Sequence, residues 1–333
     1  MLYVGVDAHK VKSHLTVMDE AGRVIARKRV SSSPDALRET LGHYDEPMKA
    51  VLEAGYSWGP IFDWLGDIAD EVVLAHPLKL RAIADARIKT DRIDSETLAH
   101  LLRADLIPPA YAPSKETRAC KRVLRQRMFL VRIGTMFKNR IRALLSQHAI
   151  TLPDVSDLYG RAGLEWLGNL NLPDPDGHLL TSDLALLQAV KDHIASTEAL
   201  VKELTAEDPA IHWLRSVPGI GSFLAVLIRY EIDTIDRFTT AKRFVSHTGL
   251  VPSTYASGQR LTHGRITKHG NKWLRWAYIE AVTPAIRCSA TLRTHYEGIK
   301  ARRGAKDART STARKIAELT WIVWTQCRCY EER

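Results

Sequence analysis

Two short apolar runs near the N-terminus each stop on an acid, and this limits the folds open to the chain more than any other feature. Leu2-Tyr3-Val4-Gly5-Val6 reads as a buried strand ending at Asp7, and Ala50-Val51-Leu52 as a second strand ending at Glu53. Residues 14–20 and 24–30 read as two more strands joined by the turn Asp19-Glu20-Ala21-Gly22, so the first thirty residues predict a meander. Ser32 or Ser33 before Pro34 caps a helix to about Tyr44. The strand ending at Glu53, a helix around 61–68 and a strand over 71–76 follow.

Three antiparallel strands and then alternating helix and strand form the order that an α/β RNase H-like (RuvC-like) sheet requires. In such a sheet Asp7 and Glu53 lie at strand ends. Asp91 and Asp94 stand three residues apart at the start of an apolar-periodic stretch, Ile93, Leu98, Leu101 and Leu102, and share one helix face. Four carboxylates brought to one corner repel each other unless a hard divalent cation neutralises them, Mg²⁺ by preference and Mn²⁺ as a substitute. The expected chemistry is phosphodiester cleavage, with Asp7, Glu53, Asp91 and Asp94 as both metal ligands and catalytic residues.

Pro108-Pro109 and Pro113 mark a break. Residues 115–148 then predict one long basic helix, in which Arg122 and Arg125 are candidate nucleic-acid contacts and Gly134 is a weak point. A Pro-, Asp- and Gly-rich loop over 152–177 leads to a second helix, 183–207, whose Leu187, Val190, Ile194, Val201 and Leu204 fall in heptad-like spacing. The two helices predict an antiparallel hairpin or coiled coil, either a solvated pair or an oligomerisation arm of a dimer or tetramer. A net charge of +10, with the basic residues concentrated after 115, favours an anionic partner. The four cysteines show no disulfide framework, and neither a signal pattern nor a bilayer-spanning run is evident, so a cytoplasmic protein without membrane contact is expected.

A third segment opens on Ser216-Val217-Pro218-Gly219-Ile220-Gly221 before an apolar helix, 223–232. This predicts a helix-hairpin-helix turn in a mainly α domain, with Gly219 and Gly221 offering backbone N–H groups to phosphates; a plain tight turn is the simpler alternative. Further on, Ser257 is expected in a loop among Arg260, Arg265, Lys268 and Lys272, cations able to steady a phosphate beside an attacking hydroxyl. A serine before a glycine is by itself only a turn residue. Residues 293–315 read as a second basic surface, with a merely solvated loop as the simpler alternative, and a helix over 316–324 closes the chain. The expected domains are 1–112, 113–207 and 208–333.

Taken in order, Gly5-Val6-Asp7, Leu52-Glu53-Ala54-Gly55, Lys89-Thr90-Asp91-Arg92-Ile93-Asp94, Ser216 to Gly221, and Gly249-Leu250-Val251-Pro252 with Tyr255-Ala256-Ser257-Gly258 resemble the DEDD insertion-sequence transposases. The resemblance covers nearly the whole chain. It implies a RuvC-like catalytic domain holding Mg²⁺ on the four acids, and a separate transposase domain whose serine, matching Ser257, joins covalently to DNA. It also implies donor and target DNA as substrates and a non-coding bridge RNA that pairs with both. Gln259-Arg260 departs from the small residues often found after this Ser-Gly. Acids on one domain and the serine on another suit a site that both complete, within or between subunits. Two rival readings remain open. One is a metal-dependent, structure-specific endonuclease resembling a Holliday-junction resolvase, in which water attacks. The other is a nucleic-acid-binding protein with no catalysis.

Overall fold

A computed structural model of the chain describes residues 1–81, 83, 91–257, 260–267 and 270–332, and for residues 91–92, 254–257, 260–263 and 265 the backbone alone. It divides into two compact units, Met1–Ala112 and Pro113–Arg333.

The first unit runs β1 (Leu2–Asp7), β2 (Lys12–Met18), β3 (Val24–Ser31), α1 (Pro34–Leu41), β4 (Met48–Glu53), α2 (Trp58–Gly66), β5 (Glu71–Ala75), α3 (Pro77–Arg81) and α4 (Asp91–Arg103). The strands form one mixed sheet in the order β3-β2-β1-β4-β5, with β1, β2 and β3 antiparallel in sequence and β1, β4 and β5 parallel. Each expected strand and helix is present here. Ser33 caps α1 by accepting from the Ala36 N–H, with Pro34 opening the helix.

Alternation along the strands sorts the side chains onto two faces. Leu2, Val4, Val6, Leu15, Val17, Ala50 and Leu52 face a core shared with Leu37 and Leu41 of α1 and Ile61 and Leu65 of α2. On the other face Tyr3, Val51 and Val73 meet Leu98 and Leu102 of α4. That helix approaches β1 at Gly5, where a Cβ would fall 1.9 Å from the Ser95 carbonyl oxygen and 2.6 Å from the Ala99 nitrogen. Beside it the Thr16 and Ser95 hydroxyls share a buried hydrogen bond of 2.9 Å. Ser95 lies over Gly5, while Arg103 at the end of α4 donates to the Glu20 carbonyl, just past Met18, which pairs with Tyr3 at the start of β1. The helix therefore runs back along the strand, with its first turn toward the end that carries Asp7.

The second unit contains α5 (Lys115–Gln147), α6 (Arg161–Gly168), α7 (Asp176–Leu204), α8 (Pro209–Ser216), α9 (Ser222–Ile232), α10 (Ala241–Thr248), β6 (Pro252–Ser257), β7 (Arg260–Ile266), α11 (Lys272–Cys288), α12 (Ala290–Arg303) and α13 (Ala305–Thr325). The ion pairs Arg127–Glu198 at 2.7 Å and Arg140–Asp183 at 3.0 Å, and the His148–Asp176 hydrogen bond at 2.7 Å, show α5 and α7 running antiparallel. Gly134 does not interrupt α5; a Cβ there would lie 3.5 Å from Val190, so the glycine marks a close approach of the two helices. Their far ends pack with α6 around Ile141, Leu145, Leu167 and Leu187. Their near ends, Cys120, Leu124, Met128 and Val201, belong to the core built by α8–α13.

Three expectations give way here. The loop over 152–177 contains α6, and α7 begins at Asp176 rather than Asp183, because Leu180 continues the buried stripe of Leu187 ahead of the expected start. The basic segment 293–315 is helical, forming α12 and α13 on either side of Gly304 (φ +84°), with Leu292, Ala308, Thr312 and Ala313 buried beneath its cations. Ser257 lies on a strand rather than a loop: Thr254, Tyr255, Leu261, Thr262 and Ile266 supply β-formers that the surrounding glycines and cations masked. Among the described residues no helix is long and apolar enough to cross a membrane.

The contact at Gly5 yields a prediction. Gly5→Ala should cost about 3 kcal/mol, because helix and strand backbones would have to separate. Gly66→Ala, where a Cβ meets nothing within 4 Å, should be near neutral. Urea unfolding of the two variants checks this, and equal midpoints would contradict it.

Candidate active site

Asp7 and Glu53 are the last residues of β1 and β4, one step beyond the paired Val6 and Leu52. Adjacent strands lie about 4.8 Å apart, so the register sets the two acids side by side. Continuing the alternation of Tyr3 and Gly5, and of Val51, both belong to the face that α4 covers. Asp7 stands opposite His14 across the β1–β2 ladder, and its Oδ2 lies 3.1 Å from His9 Nε2. Glu53 is exposed and Asp94 half-buried. On α4, position 91 falls in the sheet-facing stripe with Ser95, Leu98, Ala99 and Leu102, one turn closer to the strand ends; the Asp91 side chain lies outside the described residues. Among the described residues no three His, Cys, Asp or Glu side chains gather as ligands of one ion. The donors are nonetheless all carboxylate oxygens, the set a hard dication takes.

Ser257 ends β6, and its backbone pairs with Arg260 at the start of β7. Its side chain and those of Arg260 and Arg265 lie outside the described residues, as does Lys268 altogether. The hairpin is closed at its base, where the Thr267 N–H donates to the Val251 carbonyl at 3.0 Å and the Asn271 N–H to the His247 carbonyl at 2.7 Å. Gly249 caps α10 in the left-handed conformation (φ +71°), and Gly270 packs on it so closely that a Cβ would sit 2.3 Å from the Gly249 nitrogen.

The residues expected to touch nucleic acid take different positions. Gly219 (φ +85°) faces α11, where a Cβ would lie 2.2 Å from the Ala281 carbonyl oxygen, so only glycine fits. Gly221 is exposed as the N-cap of α9 and supplies no side-chain cap, leaving the N–H groups of that first turn open to an anion. Arg122 is exposed on α5, and Lys272 is exposed at the start of α11 with its ammonium 4.9 Å from the Trp273 ring. Arg125 is exposed but already paired: its Nε and Nη2 hold Glu231, whose side chain is only 1% exposed, at 2.9–3.1 Å. Arg127 and Arg140 are likewise paired to acids of α7, so part of the basic charge on α5 is structural.

Glu231, Asn271 and His247 were not singled out by the sequence, although a glutamate within the apolar run 223–232 was a signal. Asn271 donates from Nδ2 to Glu231 Oε2 at 2.8 Å, while its Oδ1 accepts from the Trp273 and Leu274 N–H groups and caps α11. His247 Nε2 lies 3.2 Å from Arg237 Nη2. A guanidinium can only donate, so Nε2 accepts and the imidazole is neutral, with its proton on Nδ1. Burial first, and then the positive charges of Arg237 and Lys121, push the His247 pKa down to about 4.

Between pH 6.5 and about 4 the unfolded chain therefore holds a proton at His247 that the folded chain lacks. Stability should fall as pH drops through this window, by at most about 1.4 kcal/mol per pH unit from this residue. His247→Gln should flatten that slope in urea unfolding at pH 7, 5.5 and 4.5; an unchanged slope would contradict the assignment.

Comparison with known proteins bears on both units. Residues 4–150 match a family model of DEDD-type transposases of the IS110 group, and residues 211–297 match the transposase IS116/IS110/IS902 family. A probable family 20 transposase of Pseudomonas aeruginosa is 26% identical over 98% of this chain and 98% of its own length. The transposase of insertion sequence IS1328 from Yersinia enterocolitica is 24% identical over 97% of this chain and 96% of its own. That of IS1111A from Coxiella burnetii is 23% identical over 98% and 90%. The chain belongs to the DEDD-type insertion-sequence transposases of the IS110/IS116 family, enzymes that rearrange DNA.

Proposed function

We propose that this transposase cuts and rejoins donor and target DNA through a covalent serine–DNA intermediate, with Ser257 as nucleophile and Asp7, Glu53, Asp91 and Asp94 as the carboxylates of a Mg²⁺ site that also accepts Mn²⁺. The observation that supports this most is the register ending two adjacent parallel strands on Asp7 and Glu53, on the face covered by the helix that begins with Asp91 and Asp94. The strand order β3-β2-β1-β4-β5 favours reading the first unit as a RuvC-like domain.

A bound divalent ion would supply charge neutralisation at the phosphodiester. The chain's own part begins at Ser257. Its hydroxyl oxygen forms an ester bond to phosphorus as the bond from phosphorus to a deoxyribose oxygen breaks. The serine gives up its proton, and the departing oxygen takes one to leave as a hydroxyl. One phosphate ester replaces another, so attack by a second deoxyribose hydroxyl rejoins the strand without an external energy source. Hydrolysis would forfeit that bond.

The cations of β7 and α11, Arg260, Arg265 and Lys272, together with Lys268, and the open N–H groups at Gly221, are assigned to phosphates, as is Arg122. The turn between α8 and α9 serves as a helix-hairpin-helix element in this reading. A bridge RNA encoded beside the gene would select donor and target DNA in the cytoplasm. The α5–α7 pair serves as an oligomerisation arm, a reading supported by the exposed Val131, Met136, Leu179 and Leu186 along it.

The test uses the full chain, Mg²⁺, a duplex spanning the element's own end and RNA transcribed from its flank. Ser257→Ala should bind DNA normally and form no denaturation-resistant protein–DNA species, whereas Ser253→Ala should form it. An adduct retained in Ser257→Ala and lost in Ser253→Ala moves the nucleophile. Cleavage without an adduct in both variants and in the unmodified chain makes water the nucleophile.

A further inference from the structure

The β6–β7 hairpin is a two-stranded sheet of its own among the described residues. Such a ribbon is marginally stable and holds its direction through whatever fixes its base. Here the base is stitched by the Thr267–Val251 and Asn271–His247 backbone bonds and by the Gly249–Gly270 contact. One of them is made by Asn271, the residue after Gly270, which leaves the hairpin and caps α11. The same side chain reaches into the core to Glu231 of α9, which Arg125 of α5 holds bidentately.

A carboxylate that is 1% exposed is costly to keep unless each of its oxygens is bonded. Glu231 meets that condition with Arg125 on Oε1 and with Arg125 and Asn271 on Oε2. An apolar side chain would fill the α9 position at less cost, but it would leave the amide of Asn271 without an acceptor.

We infer that Arg125, Glu231 and Asn271 form a positioning relay that ties the base of the Ser257 hairpin to the helical core and so sets where the serine hydroxyl is presented. This rests on the reading of Ser257 as nucleophile. None of the three touches the reacting atoms. The relay aims the strand, and its loss should lower the rate of serine attack far more than it lowers folding or DNA affinity. A displacement of about 1 Å at a reacting group costs on the order of 100-fold in rate.

Asn271→Ser separates the roles, since serine still caps α11 but is too short to reach Glu231. The full-length variant, with the element-end duplex, flanking RNA and Mg²⁺, should form the covalent species about 100-fold more slowly. Its DNA affinity should stay within twofold, and it should melt within a few degrees of the unmodified chain. Amide exchange over residues 252–266 should speed up while that of α9 does not. Glu231→Gln, which keeps one acceptor for Asn271, should lie between the two. Unchanged exchange in the hairpin, or an unchanged adduct rate in Asn271→Ser, overturns the relay. Absence of any adduct from the unmodified chain instead overturns the serine reading, and the exchange measurement then still decides whether Asn271 anchors the hairpin.

Discussion

The contact between α4 and β1 at Gly5 is the constraint on which the acidic end of the first unit depends. Helix and strand backbones touch there without a side chain between them, and the Thr16–Ser95 hydrogen bond fixes the rotation of the helix at the same level. Once Ser95 is pinned over Gly5, the 1.5 Å rise per residue of a helix determines how far positions 91 and 94 extend toward the strand ends. The parallel register of β1 and β4 independently fixes Asp7 and Glu53. Two rigid elements, each with its own lock, therefore fix the strand ends that carry Asp7 and Glu53 and the first turn of α4.

In the second unit the comparable device is polar. Glu231 lies among the buried apolar residues of α9, and its two oxygens join α5, α9 and the start of α11. The same core buries His247 as a neutral ring beside Arg237. Part of the basic charge of this unit is engaged by acids of α7 and α9, which ties those helices to α5. Arg122, Lys272 and the turn at Gly221 are exposed, and the proposed phosphate contacts are assigned to them for that reason.

Much of the first unit was legible because its period-2 and period-3.6 patterns are clean and bounded by Pro, Ser, Asp and Gly. Asp7 and Glu53 could be placed at strand ends from the apolar runs before them. Less could be read where local composition and tertiary packing disagree. The alanine- and arginine-rich stretch 293–315 looked like a solvated loop, yet its small residues let α12 and α13 pack closely with the cations outward. Ser257 looked like a loop residue because glycine follows it, whereas cross-strand pairing with Arg260 makes it the end of a strand. The pairing of Arg125 with Glu231 left no trace in spacing, since the two lie 106 residues apart. The proposals of covalent attack by Ser257 and of guidance by RNA rest on the family resemblance and not on periodicity or charge.

Binding of a divalent ion by the four acids is the central claim, and Mn²⁺ titration of the full chain followed by electron paramagnetic resonance at neutral pH tests it most directly. Saturable Mn²⁺ binding is expected, displaced by Mg²⁺ and abolished by each of Asp7→Asn, Glu53→Gln and Asp94→Asn while the variants remain folded. Binding that persists in Asp7→Asn and Glu53→Gln, or no saturable binding in the unmodified chain with its DNA and RNA present, would contradict it.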